Sequence, residues 1–231
     1  MSSTPPLSIV IPVRDAATFL PSCLGALEEG RSCGLVREII VVDGGSRDDT
    51  PARALALGAR LLVAPAGRGA QLAAGAASAS GAWLLFLHAD TILPPDWPAS
   101  VAAFLDVKEN AARAGYFALR FDDGGWAPRL IERCVALRCR WLGLPYGDQG
   151  LLLTAESYRA LGGFRPVPLM EDIDLVRRIG RRRLRLLPAA VTTSAARYRR
   201  DGYGPRILRN LACLTLYYLG VPPRLILRLY A

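Results

Sequence analysis

A single histidine, His88, and a single lysine, Lys108, stand in a chain of 231 residues. One histidine excludes a zinc site built from two or three imidazoles, and no HExxH pair is present. A Ser-His-Asp triad would have to be built on His88, and the chain lacks the GxSxG turn that would carry its serine. The five cysteines (Cys23, Cys33, Cys134, Cys139 and Cys213) are odd in number and have no CxxC spacing. Reduced, packed thiols follow more naturally than a disulfide framework. Long hydrophobic runs are missing as well. The apolar stretch Leu211–Val221 is eleven residues long, about half of the ~20 a membrane-spanning helix needs. Met1–Pro6 shows no charged segment followed by an apolar one, so no signal peptide is expected. The expected location is the cytoplasm, or the inner face of the cell membrane.

What is present is a globular composition, 52% hydrophobic and 21% charged, in a length that suits one domain with a substantial core. The net charge of +9 is unevenly placed. Residues 1–128 hold ten basic and thirteen acidic groups, a balance of −3, and residues 129–231 hold nineteen and seven, a balance of +12. Nearly all the positive charge is arginine, whose planar fork suits phosphate, so a phosphorylated ligand or an anionic surface is implied. No nucleic-acid motif and no aromatic stacking platform accompanies the basic residues, and no nucleic-acid partner is expected.

The first 105 residues alternate strand and helix. Strands are expected at Leu7–Ile11, Glu38–Val42, Arg60–Val63 and Trp83–Leu87. Helices are expected near Thr18–Glu28, from Asp48–Pro51 up to Gly58, and over the small-residue segment Ala70–Ala79, which Gly67-Arg68-Gly69 opens. This βαβ rhythm predicts an α/β fold with a parallel sheet and right-handed crossovers. Beyond it, Tyr116–Phe121, Leu151–Thr154 and Leu186–Leu187 read as strands, and Pro128–Arg140 and Glu171–Gly180 as helices. Arg181–Arg185 is a basic patch. Leu211–Val221, with Arg206, Arg209, Arg224 and Arg228 around it, either packs on the domain or on a second subunit, or lies in a membrane interface.

Three of the strands deliver polar residues at their carboxyl ends, where open α/β sheets bind ligands: Val13-Arg14-Asp15, then Asp43 ahead of Gly44-Gly45-Ser46, then His88-Ala89-Asp90. No GK[ST] follows Gly44-Gly45, and GxGxxG is missing, so this is neither a P-loop nor a dinucleotide fingerprint. Carboxylates and arginines carry the chemistry. Asp43 either reads a ribose or base edge or caps its own turn. Arg68, at a helix N-terminus between glycines, either meets phosphate or is a solvated loop residue. Asp90 suits Mg²⁺ or Mn²⁺ bridging a diphosphate, or closes a plain turn. Glu171, Asp172 and Asp174 sit where acidic groups favour a helix start, or supply a catalytic carboxylate.

IPVRDAATFLPSCLGAL, EIIVVDGGSRDDT, GRGAQLAAGAASASGAWLLFLHADT, GDQGLLLTAESYRALGGF and MEDIDLVRRI, in that order, resemble a family 2 glycosyltransferase. Within that family, the short length, HAD in place of DxD and GDQG before MEDIDL resemble a small bacterial subgroup linked to arsenosugar biosynthesis. The resemblance implies the GT-A fold, a Rossmann-like, mostly parallel sheet flanked by helices, in a single domain over residues 1–231. A nucleotide-binding half would occupy about 1–105, an acceptor and catalytic half about 106–200, and an apolar, basic segment about 201–231. It further implies an inverting, metal-assisted transfer of a sugar from a nucleotide-diphospho-sugar donor to an acceptor hydroxyl, the acceptor being a lipid or a small metabolite. Pro12, Val13, Asp43, Arg68 and His88 would contact the nucleotide-sugar, and Asp90 would hold Mn²⁺ or Mg²⁺. Asp172 would be the general base with Glu171 supporting it. Gly147, Asp148 and Gln149 would lie beside the acceptor, and Arg197, Arg199 or Arg200 near the leaving diphosphate. Asp15-Ala16 replaces the family's Asn-Glu, and His88 replaces an acid that commonly touches the nucleotide; imidazole is also a competent Mn²⁺ ligand. The alternatives are a non-catalytic protein of the same fold that binds nucleotide-sugar or a membrane surface, and a glycoside hydrolase using Asp90 and Asp172.

Overall fold

A computed structural model describes residues 5–230. Eight strands form one sheet: β1 (Leu7–Val13), β2 (Val36–Asp43), β3 (Arg60–Val63), β4 (Trp83–Phe86), β5 (Thr91–Ile92), β6 (Ala114–Phe121), β7 (Leu151–Thr154) and β8 (Leu184–Thr193), in the spatial order β3-β2-β1-β4-β7-β6-β8-β5. The neighbours β3, β2, β1 and β4 are parallel; β7 runs against β4 and β6, and β5 against β8. The helices are α1 (Leu20–Gly25), α2 (Glu28–Ser32), α3 (Thr50–Ala56), α4 (Arg68–Ser78), α5 (Trp97–Leu105), α6 (Trp126–Leu142), α7 (Ala155–Ala160), α8 (Glu171–Ile179), α9 (Ala196–Asp201), α10 (Tyr203–Tyr218) and α11 (Pro223–Tyr230).

Every residue of β1 is buried, as a parallel strand covered on both faces requires. The small residues of α4 exist for packing. A Cβ on Gly75 would lie 2.3 Å from Val10 and 2.9 Å from Val42, so the helix rests directly on β1 and β2. The register sets Val13 beside Asp43 and Val10 beside Phe86, which brings the ends of β1, β2 and β4 to one edge. Chain order runs outward from β1 to β3 and then returns to β4 on the other side of β1. The β1/β4 boundary is therefore the switch point at which a ligand crevice opens. Because β7 is antiparallel to β4, with Leu151 paired to Phe86, the turn that precedes β7 arrives at the same edge.

Two expected elements differ. The helix expected over Thr18–Glu28 is the shorter α1, which ends in a turn with the Leu27 amide bonded to the Leu24 carbonyl before α2 begins; the Trp97 indole donates to the Ala26 carbonyl of that turn at 3.0 Å. The short strand expected at Leu186–Leu187 is the ten-residue β8. Its partner register jumps from Tyr116–Leu186 to Ala118–Ala190, so two extra residues are looped out around Pro188, the residue that interrupts the sequence pattern. All five cysteines are free, and Cys23, Cys139 and Cys213 are buried. Among the described residues no helix is long and apolar enough to cross a membrane.

Candidate active site

A cleft of about 880 Å³ opens at this carboxyl edge, and Arg68, His88, Asp90, Asp148, Glu171 and Asp172 line its polar end. The rim on the β1/β2 side is laced by short contacts. Asp43 is buried, and its carboxylate accepts from the Ser46 amide at 3.1 Å and the Gly45 amide at 3.3 Å. The visible partners of Asp43 thus belong to its own turn. The neighbouring loop is tied in by the Arg47 amide donating to Asp15 at 2.7 Å and the Ala16 amide to Thr50 at 2.8 Å. Gln71 is the residue that sequence reasoning missed here. Its buried amide donates to the Val13 carbonyl at 2.8 Å and the Val42 carbonyl at 2.7 Å, pinning α4 to the ends of both strands. The signal was available: Gln71 is the one strongly polar side chain within the run Gly69–Ala77.

Asp172 is held from two sides. The Gly147 amide donates to one carboxylate oxygen at 2.7 Å, and the Ile173 amide to the other, also at 2.7 Å. Met170, immediately before α8, has φ of 65°, a left-handed conformation rare for a side-chain-bearing residue and characteristic of functional sites. It turns the chain sharply so that Glu171 and Asp172 enter the cleft in the first helical turn. Gly147 fits because it has no side chain: a Cβ there would lie 2.5 Å from His88 Nε2 and 3.5 Å from Asp172 Oδ2. Gly147→Ala is accordingly expected to destabilise the fold by about 1–3 kcal/mol through overpacking. Urea unfolding would show this, with part of the loss recovered in the Gly147→Ala/His88→Ala double variant; additive losses would disprove the contact.

The electrostatics are strongly mutual. Burial, then Arg68 and Arg197, push the His88 pKa down to about 3 against the pull of Asp172, so the imidazole is neutral. Burial followed by the charge of Asp172 raises Glu171 to about 7. Burial opposes the charge of Arg68, but Glu171, Tyr230, Asp172 and Asp90 outweigh it and its pKa stands above the usual guanidinium value. Burial also raises Asp148, to about 6, and its Oδ1 is buried with no hydrogen-bond partner. Perturbed carboxylates gathered in a cleft are the signature of a reactive site.

The remaining sequence-named residues divide between the cleft and its supports. Pro12 and Val13 end β1 at the same sheet edge and are buried, and neither they nor Asp43 line the cleft. Gln149 faces inward: it donates to the Phe117 carbonyl at 3.0 Å and accepts from Arg138 at 3.1 Å, fixing the turn that carries Gly147 and Asp148. Arg197 lines the cleft. Arg199 pairs instead with Asp122 at 3.1 Å, and Arg200 with Asp201 at 2.8 Å. Arg138, which the sequence did not single out, also lines the cleft, stacked 3.4 Å over the Tyr146 ring, as does the buried Arg206 of the C-terminal basic segment, paired with Asp201 at 3.2 Å.

A mostly parallel sheet whose switch point opens into a crevice lined by carboxylates and arginines defines an α/β protein with a polar cleft at its carboxyl edge. The sequence family makes this specific: the model of glycosyl transferase family 2 matches residues 8–165, and the chain belongs to that family. A PGL/p-HBAD biosynthesis glycosyltransferase of Mycobacterium tuberculosis is 38% identical over 115 residues, which is 46% of this chain and 44% of the relative. The chain thus matches less than half the length of that curated relative. Among solved structures, glucosyl-3-phosphoglycerate synthase from M. tuberculosis, in complex with Mn²⁺, UDP and glucosyl-3-phosphoglycerate, superposes with a TM-score of 0.62 at 24% identity. It covers 94% of this chain and 81% of that one. S. aureus TarS in complex with UDP-GlcNAc gives 0.63 at 16% identity, over 82% and 58%. At these identities the two structures bear on the fold alone, which is the GT-A architecture.

Proposed function

We propose that this protein transfers a glycosyl group, with inversion, from a nucleotide-diphospho-sugar to an acceptor hydroxyl, with Asp172 as general base. The observation that carries this reading is the Asp172 carboxylate, fixed in the cleft by two backbone amides and facing a neutral His88, Asp90 and Arg68. Each carboxylate oxygen gives one lone pair to the backbone and keeps another for an incoming hydroxyl. The Asp172 oxygen takes the acceptor proton as the acceptor oxygen attacks the anomeric carbon from the face opposite the diphosphate. The buried Glu171 lies within electrostatic reach of Arg68, and Arg68 and Arg197 offer positive charge to the departing diphosphate. HAD and GDQG support placing the chain in the small subgroup resembling arsenosugar-associated transferases.

Asp90 and neutral His88 fit a divalent cation in one way only. Among the described residues no three metal-ligating side chains are grouped, so a protein-only cage does not fit, whereas an ion shared with substrate phosphates needs one or two carboxylates. Mn²⁺ or Mg²⁺ held so would supply Lewis-acid stabilisation of charge on the diphosphate. The solved synthase complexes with Mn²⁺ or Mg²⁺ and UDP make UDP the first probe. UDP with Mn²⁺ at a hundred times its dissociation constant is expected to stabilise the protein by about 2.7 kcal/mol. Thermal unfolding should show that shift in the wild type and lose most of it in Asp90→Asn. Absence of a shift with every nucleoside diphosphate would remove the donor site.

A further inference from the structure

We infer that the acceptor is a lipid, an amphiphile whose hydrocarbon chain lies in the apolar arm of the cleft between α6 and α10. The inference rests on the transferase reading and adds the chemistry of its second substrate. The cleft does not end at the acids. Along α6 it is walled by Leu130, Ile131, Cys134, Val135, Leu137 and Trp141, positions that recur every three or four residues and so form one continuous stripe. The eleven steps from Leu130 to Trp141 at 1.5 Å rise make that stripe about 16 Å long, far more than a sugar ring needs. Ile207, Leu211 and Leu214 of α10 face it across the cleft. The wall remains exposed: Trp141 is 64% accessible and Leu211 54%. A surface apolar patch continuous with a reactive centre marks a binding site rather than a folding defect.

The polar end and the apolar wall of the cleft match the head and the chain of such a molecule. Toward β4 stand Asp172, His88 and the unpartnered Asp148 Oδ1, and beside the apolar wall the Asn210 Oδ1 is likewise buried without a partner. Both orphan oxygens are hydrogen-bond acceptors waiting for a ligand donor, and a polar head bearing a hydroxyl supplies one. Outside the cleft, Trp126 (81% accessible), Leu208, Leu219 and Leu225 are exposed on or next to α6, α10 and α11, and Arg133, Arg140, Arg209, Arg224 and Arg228 stand on the same three helices. Leucines and a tryptophan interspersed with arginines fit an anionic bilayer surface, the source of such an acceptor.

Chain-length dependence tests this directly. Primary alcohols of increasing length, kept below their aggregation concentrations, would be offered as acceptors with a donor sugar, and UDP-induced thermal stabilisation would be followed in parallel. The expected result is a kcat/KM that climbs roughly two- to fourfold per methylene until the arm is filled. Leu137→Glu and Leu211→Glu change exposed positions and should flatten that climb while leaving the UDP shift intact. Quenching of Trp141 fluorescence by a brominated long-chain alcohol, absent in Trp141→Phe, gives a second readout independent of turnover. A kcat/KM indifferent to chain length, with small polar acceptors preferred, overturns the lipid assignment and leaves the transferase standing. Loss of every nucleotide response overturns both.

Discussion

Asp172→Asn is expected to lower kcat by 10²–10⁴, the range general-base assistance supplies, while the affinity for nucleoside diphosphate stays within a few-fold of wild type. The separation follows from the contacts. The amide oxygen of the variant still accepts from the Gly147 or Ile173 amide, so the turn and the start of α8 keep their positions. The ability to take a proton is removed, together with one of the two backbone contacts. The arginines and Asp90 on the donor side are untouched, and binding energy that is equal in ground and transition states stays in place. Steady-state kinetics with a thermal-shift titration of UDP would separate the two effects. A variant that retains full turnover would transfer the base to Glu171 or Asp148, both within the same cleft. A variant that loses nucleotide binding as well would mean that Asp172 organises the site rather than deprotonating the acceptor.

The sequence made the nucleotide-side edge legible because its physics is local. Parallel, doubly covered strands read as unbroken apolar runs, and each such run ends in the polar residues that face the crevice. Arg60–Val63 and Leu151–Thr154 also have the expected bounds, although β3 is a partly exposed edge strand and β7 is antiparallel to both neighbours. Pro188 concealed β8, since the looped-out register that accommodates it depends on β6, a partner more than sixty residues away. Of the site, Arg68, His88, Asp90, Gly147, Asp148, Glu171, Asp172 and Arg197 all line the cleft. Arg68 announced itself as a glycine-flanked group, His88 and Asp90 as strand-terminal ones, and Glu171 and Asp172 as acids at a helix start, whereas Gly147, Asp148 and Arg197 came only from the family resemblance. Gln149, Arg199 and Arg200 show the limit of that inference, because a polar residue beside a motif has several directions in which to point and tertiary contacts choose among them. The roles of Gln71 and Arg138 are set by carbonyls on other elements, and the strained φ of Met170 leaves no trace in composition. The apolar arm was visible only as an amphipathic helix and an apolar run; that the two face each other across one cleft is a fact of packing.

Asp148→Asn is expected to make the protein more stable and the enzyme worse. The Asp148 carboxyl is raised from 3.8 to about 6, chiefly by burial, and its Oδ1 has no partner. A folded-state pKa above the unfolded one means that the native state holds the proton more tightly. The stabilising contribution is therefore complete below about pH 4 and is lost as pH rises through 6, where the fold must carry a poorly solvated charge. The full shift corresponds to roughly 3 kcal/mol, and partial contact with solvent trims this to about 2. An amide has no such charge. The variant's advantage in urea denaturation should accordingly be small near pH 4, grow through pH 6 and level off by pH 8. Turnover should move the other way. If Oδ1 accepts a hydrogen bond from a substrate hydroxyl, replacing the charged acceptor by a neutral one weakens that bond by about 1–2 kcal/mol, a roughly 5- to 30-fold fall in kcat/KM. Stability lost for function at one buried atom is the pattern of an active-site residue. A variant with flat pH dependence and unchanged kinetics would instead make Asp148 a solvated turn residue, and the orphaned oxygen would need another occupant.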